Sequence, residues 1–217
     1  MKLHIGCGDT LLDDFVNIDN SPSLLLARLP LFMVTGLRKL SLLSDIQLGF
    51  IKAIKTRRST VRYADCLHLP YKDNTVDLCY SSHVIGWYLS HSQLRRFFAE
   101  MKRVLRPGGV VRLSWADFDV RVRDYLENRD SIALSHSFPM GMNELTFKDK
   151  LKLLFSPHLR GGVVLNTDTT IELLRQCGFE RIELLAAGET TMPAGLAGSI
   201  DLAQRADHSV YIECYKP

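Results

Sequence analysis

Residues 1–20 read MKLHIGCGDTLLDDFVNIDN. An apolar stub, Leu3 to Ile5, runs into Gly6-Cys7-Gly8, and a second short apolar run, Phe15 to Ile18, ends on Asp19. As two strands they put a tight turn of bare backbone at the end of the first. A carboxylate then stands at the end of its neighbour, about one nucleoside away. Taken alone, G-x-G after a strand also suits a dinucleotide fold. Here Leu11 stands where G-x-G-x-x-G needs its third glycine, so close helix packing onto a pyrophosphate is unsupported. A nucleoside without pyrophosphate fits better.

Working outward, residues 21–59 exceed what a compact nucleotide fold needs between strands. From Leu37 to Ile54 the apolar residues Leu37, Leu40, Leu43, Phe50, Ile51 and Ile54 fall on one helical face, with Arg38, Ser41, Asp45 and Lys52 on the other. The spacing predicts one amphipathic helix. With its flanks this segment holds Arg28, Arg38, Lys39, Lys52, Lys55, Arg57 and Arg58 against Asp45 alone. Three readings stay open for it: a helix covering a sheet face with a solvated basic rim, a lid over an anionic substrate, or a weak membrane-surface contact through residues 24–58.

Val61 to Ala64 reads as a short strand ending at Asp65, and Thr75 to Tyr80 as a buried strand ending at Ser81-Ser82-His83. Ser90-x-x-Gln93 is a capping box that opens a helix through Leu94, Phe97, Phe98, Met101 and Leu105. Pro107-Gly108-Gly109 stops it. Val110 to Trp115 is a strand closing on Asp117. The pattern then weakens from Phe118 to Leu165, with a helix over Val120 to Asn128 and a loop over Phe138 to Asn143, and this is where substrate-specific structure is expected. Thr169-x-x-Glu172 reads as a second capping box, Gly178 as a helix C-cap, and Arg181 to Leu185 and Ser209 to Tyr215 as closing strands. Strands alternating with helices predict a three-layer, doubly wound, Rossmann-like α/β sheet, mostly parallel, with a terminal antiparallel strand. One domain over residues 1–217 is expected, with inserts at about 21–60 and 118–165.

A formal net charge of +3 is too mild to announce nucleic-acid binding, and no nucleic-acid partner is expected. Cys7, Cys66, Cys79, Cys177 and Cys214 form no C-x-x-C pair and no zinc spacing. They read as reduced thiols of a cytoplasmic protein, and no metal is expected. No signal peptide and no membrane-spanning run is visible. Cys7 and Cys66 read as small packed residues, and Trp87, Tyr88, Trp115 and Phe118 as core.

The blocks HIGCGDTLLDDFVNID, ADCLHLPYKDNTVDLCYSSHV, RRFFAEMKRVLRPGGVVRLSWADF and ELLRQCGFERIELL together resemble the class I S-adenosylmethionine-dependent methyltransferases, in particular small type-11-like enzymes, some of them associated with polysaccharide biosynthesis. The resemblance implies S-adenosylmethionine as cofactor and a small-molecule or saccharide acceptor. It implies that Gly6, Cys7 and Gly8 pass beneath the methionine part, that Asp19 accepts from both ribose hydroxyls, and that Asp65 accepts from the adenine amino group with Cys66 and Leu67 at the ring edge. Ser81, Ser82 and His83 would line the cleft near the sulfonium. His83 is then the candidate base, and Asp117 its orienter or a substrate ligand. Many relatives continue the block that ends here at Val84 with a His followed three residues later by Glu-His, where this chain has Ile85-Gly86-Trp87. A cofactor-binding scaffold without catalysis is the alternative reading.

Overall fold

The computed structural model describes residues 1–56, 61–86, 89–129, 163–192, 200–201 and 209–217. Its centre is a seven-stranded sheet of β1 (Lys2–Ile5), β2 (Val16–Asp19), β3 (Val61–Tyr63), β4 (Val76–Ser82), β5 (Leu105–Trp115), β6 (Glu180–Leu185) and β7 (Val210–Tyr215), in the order β3-β2-β1-β4-β5-β7-β6. β7 runs antiparallel to both of its neighbours, and the remaining pairings are parallel. The strand order reverses beside β1, since β2 and β3 lie on one side of it and β4 on the other. The crevice beyond the carboxyl ends of β1 and β4 is therefore the switch point, where open α/β sheets bind ligands.

The period-two alternation of the strands separates two chemistries. Leu3 and Ile5, Cys79, Val111, Leu113 and Trp115, and Ile212 and Cys214 belong to one apolar core. The same core takes in Leu94, Phe97, Phe98 and Met101 of α4 (His91–Val104) and Leu173 and Leu174 of α6 (Thr167–Gln176). The alternate positions, His4, Asn17, Tyr80, Arg112, Ser114 and Glu213, are polar and yet buried. Buried polar groups must be paired, and these are. Arg112 donates to Glu213 Oε1 at 2.6 Å and to both oxygens of Asp201. Glu213 also accepts from Thr190 Oγ1 and from the N–H and hydroxyl of Thr191. Burial alone would raise the Glu213 carboxyl, but the two threonines and Arg112 outweigh it and hold the group below the usual carboxylate range. The network pins the chain at 188–191 and 200–201 to the sheet, helped by Tyr80 Oη donating to the Ile200 carbonyl at 3.0 Å.

Between β2 and β3 the predicted amphipathic helix is in fact broken. After α1 (Ser23–Leu26), α2 (Leu31–Lys39) and α3 (Asp45–Thr56) are separate helices. The break has a local cause. Ser41 takes a left-handed φ of 57°, its N–H reaches the Arg38 carbonyl, and the Leu42 N–H reaches that of Leu37, which is a Schellman ending. Ser44 and Gln47 then exchange backbone-to-side-chain bonds at 2.9 and 3.1 Å and open α3. Leu40, placed on the buried face by periodicity, is 65% exposed as a result. Val34, Leu43 and Ile51 make a small core of their own, and Phe50 packs with Cys7 and Leu11 of the β1–β2 loop.

Other boundaries hold with shifts. The capping box of Ser90 and Gln93 opens α4, and the strand predicted over Val110 to Trp115 begins earlier, at Leu105. α5 spans Phe118–Asn128. The N-cap of α6 is Asn166, whose Oδ1 accepts from the Thr169 N–H at 3.0 Å, and not the expected Thr169 box. Gly178, at φ 79°, closes that helix. The loop expected over Phe138 to Asn143, and Trp87 and Tyr88, lie outside the described residues. Trp115 is core, whereas Phe118 is 38% exposed.

Candidate active site

The site begins with what is absent from the β1–β2 connection. Residues 6–15 contain no helix and return directly to β2. No helix N-terminus therefore follows the glycine turn, and the dipole and free N–H groups that hold a pyrophosphate are missing. This is the structural counterpart of Leu11 at the third-glycine position. The loop is held instead by β2. Asn17 Oδ1 accepts from the Leu12 N–H at 3.0 Å and its Nδ2 donates to the Leu12 carbonyl at 2.9 Å. His4 lies behind it, its Nδ1 3.2 Å from Asn17 Oδ1 and its ring beside Tyr80; burial pushes its pKa down to about 4.

Gly6 and Gly8 both take left-handed φ, 71° and 50°. A Cβ at Gly6 would stand 2.2 Å from Val84 Cγ2, so the backbone there presses against the segment after β4. A Cβ at Gly8 would meet nothing within 4 Å, so open space lies above that residue. Asp19 ties the turn to the end of β2. Its Oδ2 accepts from the Gly8 N–H at 3.0 Å and its Oδ1 from the Ser21 N–H at 2.7 Å. Each oxygen keeps acceptor capacity, and the two are held in a fixed plane, which suits a pair of neighbouring hydroxyls. Cys7 is buried, and that burial, with the Asp19 charge beside it, raises its thiol pKa.

Asp65 follows β3. Its Oδ1 accepts from the Leu67 N–H at 2.9 Å, closing an Asx turn, and its Oδ2 lies 3.3 Å from His68 Nδ1. Cys66 and Leu67 form the turn, and burial pushes the Cys66 thiol up to about 12. Cys7 and Cys66 therefore belong to the packing.

At the end of β4, Ser81 is buried and donates to the Ile5 carbonyl at 3.0 Å, which ties the two strands bordering the switch point. His83 is half-buried in a left-handed conformation, φ 57°, a cost borne at few non-glycine positions and concentrated at functional sites. Its ring is gripped from two sides: Nδ1 is 3.0 Å from Ser82 Oγ and Nε2 is 3.2 Å from Ser209 Oγ. Ser114 Oγ donates to Ser82 Oγ at 2.8 Å, so a chain of hydroxyls runs from β5 through the imidazole to the start of β7.

Asp117 does not orient this histidine. It is buried as the N-cap of α5, its Oδ1 accepting from Asp119 and Val120 and its Oδ2 from Thr167 Oγ1 at 2.8 Å. That clasp joins α5 to α6, and serines hold the ring instead. Gly6 to Gly8, Asp19, Asp65 and Ser81 to His83 thus gather along one edge of the sheet, while Asp117 serves the helix beside it. Sequence reasoning missed Asn17, Val84, Ser114, Thr167 and Ser209. Only Ser209, at the start of a predicted strand, stood where a site residue could have been sought. Among the described residues no group of three or more His, Cys, Asp or Glu side chains could hold a metal ion.

A family model described as a methyltransferase domain matches residues 34–113. That span includes Asp65 and Ser81 to His83 and leaves out the glycine turn and Asp19. The whole chain superposes on a structure from Thermotoga maritima described as an S-adenosylmethionine-dependent methyltransferase, possible histamine N-methyltransferase. The TM-score is 0.55 at 16% identity, with 100% of this chain and 81% of that one covered. The fold is that of the class I methyltransferases. A methyltransferase-fold protein from Archaeoglobus fulgidus superposes with a TM-score of 0.51 at 10% identity over 99% of this chain and 85% of its own. In sequence, 81 residues are 38% identical to the malonyl-(acyl-carrier protein) O-methyltransferase of Hamiltonella defensa, and 72 residues are 35% identical to that of Serratia marcescens. These stretches are 36% and 32% of this chain, and 30% and 27% of those relatives' own lengths.

Proposed function

We propose that the chain is an S-adenosylmethionine-dependent methyltransferase acting on a small-molecule or glycan-type acceptor. One observation carries the reading: a glycine turn with open space over Gly8, bonded by the Asp19 carboxylate, at the switch point of a methyltransferase-fold sheet and with no helix dipole behind it. The residues fit the cofactor. Asp19 offers paired acceptors for a ribose diol, Asp65 an acceptor for an adenine amino group, and Gly6 to Gly8 the bare backbone for the amino-acid portion. When bound, the cofactor supplies a methyl group on an already activated sulfonium leaving group. This chain's part is alignment, which can supply several kcal/mol of barrier reduction, and proton removal where the acceptor needs it.

His83 is the residue proposed for that proton. A sugar hydroxyl must lose one on methylation, whereas a carboxylate acceptor does not. The names of the two curated relatives refer to a malonyl group on acyl-carrier protein, so a carrier-bound acceptor is the second reading. The five free cysteines suit a cytoplasmic, reducing setting. His83→Asn keeps a residue that tolerates φ 57° and removes the base. It is expected to lower methyl transfer to a hydroxyl acceptor at least about tenfold while changing S-adenosylhomocysteine affinity no more than about threefold. Labelled-methyl transfer into sugar and carrier-bound acceptors measures this. Unchanged turnover on a hydroxyl acceptor removes His83 from the mechanism, and transfer to no acceptor from a protein that binds the cofactor favours a scaffold.

A further inference from the structure

We propose that the segment α1 to α3 is a docking surface for an anionic lipid bilayer. Soluble domains seldom gather large apolar side chains in one exposed place. Here Leu25, Leu31, Phe32, Met33, Leu40 and Leu42 are all exposed, Phe32 at 75%, and they make up half of the exposed large hydrophobics among the described residues. They fall within eighteen residues, whereas the other half are spread from Met1 to Leu184. The buried side of the same segment is satisfied by Val34, Leu43 and Ile51, so these side chains are surplus to its core.

Next to them Leu24, Leu25, Ala27, Ile54, Val61 and Tyr63, with Arg28, line an open groove of about 210 Å³. Charge identifies the occupant. Arg28, Lys39, Lys52 and Lys55 of the same segment are exposed, Arg28 at the groove itself, and the segment's one acidic group, Asp45, is held bidentately by Arg38 at 2.7 Å. Seven basic residues against one acidic in 24–58, in a chain of net charge +3, leave the remainder of the molecule net negative. Exposed apolar and cationic side chains on one segment of an otherwise acidic protein match an interface of acyl chains beneath anionic headgroups. A protein partner would be expected to meet a more mixed rim. No helix among the described residues is long and apolar enough to cross a bilayer, so the contact is one of lying on its surface. Leu24, Ala53 and Ile54 pack against Cys7 and Leu11 of the glycine-turn loop, which puts this surface next to the cleft.

The test is co-sedimentation of the full chain with vesicles of phosphatidylcholine alone, or containing about a third phosphatidylglycerol, at low and high salt. Wild type is expected to sediment with the anionic vesicles at low salt and to be released as salt rises. The double variant Phe32→Asp, Met33→Asp should bind at least about tenfold more weakly, and so should Lys39→Glu, Lys52→Glu, Lys55→Glu, with S-adenosylhomocysteine affinity unchanged in both. Wild type left in the supernatant at low salt, equal binding to neutral vesicles, or Asp variants that bind like wild type would overturn the proposal. Concentration-dependent dimers dissolved by Phe32→Asp, without vesicle binding, would assign the face to a second copy instead. Cofactor affinity is read separately, so failure here leaves the methyltransferase reading standing.

Discussion

Arg112→Ala should lower the free energy of unfolding by about 3 to 5 kcal/mol, the range for breaking a buried ion pair by removing one partner. Arg112 and Glu213 are fully buried and Asp201 nearly so, and the guanidinium is the cation bonded to both carboxylates. Burial disfavours the charged guanidinium, but Asp201 and Glu213 more than offset this and raise its pKa. Without it two carboxylates share a dry site with no countercharge. The threonine bonds to Glu213 cannot replace it, because they solvate the anion without neutralising it. Adding Glu213→Gln should recover part of the loss, since one buried charge is gone. Denaturant unfolding of the single and double variants measures the coupling. A loss below about 1 kcal/mol, typical of surface pairs, would mean that the network is wet and not a structural clamp.

Gly6→Ala should be nearly as damaging, at about 2 to 5 kcal/mol, from left-handed backbone strain of about 1 to 2 and overpacking of about 1 to 3. The second part exists because the new methyl would overlap Val84 Cγ2, a β-branched group with little freedom to move aside. Gly8→Ala carries the strain alone, since nothing lies within 4 Å of its Cβ position, and should cost about 1 to 2 kcal/mol. The ordering, together with partial rescue of Gly6→Ala by Val84→Ala, is the expected result of thermal unfolding. Equal losses at the two glycines would show that the close approach to Val84 does not govern the turn.

The legible part of this molecule is the part in which chemistry follows sequence period and strand end. Gly6 to Gly8, Asp19, Asp65 and Ser81 to His83 each end a short apolar run, and a parallel sheet brings such ends to one edge whatever the details of its helices. The antiparallel β7 was equally readable as a late strand after the last helix. The predicted single helix over Leu37 to Ile54 failed because periodicity carries across a break when the second helix resumes in phase; the S-x-x-Q at Ser44 to Gln47 was the signal against it. Asp117 does not orient His83, because an aspartate after a strand caps a helix as readily as it lines a cleft, and Thr167, fifty residues on, completes the cap here. Arg112 and Glu213 left a local trace, a lone charge inside VVRLSW and inside VYIECY. Their pairing through adjacent strands depends on register, which neither run reveals alone.

On the proposed function, the Gly6 to Gly8 turn and Asp19 hold an S-adenosyl nucleoside. Calorimetric titration of S-adenosylhomocysteine into wild type, Asp19→Ala and Asp19→Asn tests this, the Asn variant keeping one acceptor oxygen, for Gly8 or Ser21 but not for both. Wild type is expected to bind, and Asp19→Ala to bind about 1.5 to 3 kcal/mol more weakly, roughly 10- to 150-fold, with Asp19→Asn in between. No heat of binding with wild type at about millimolar ligand, or equal affinity in all three proteins, would contradict the account.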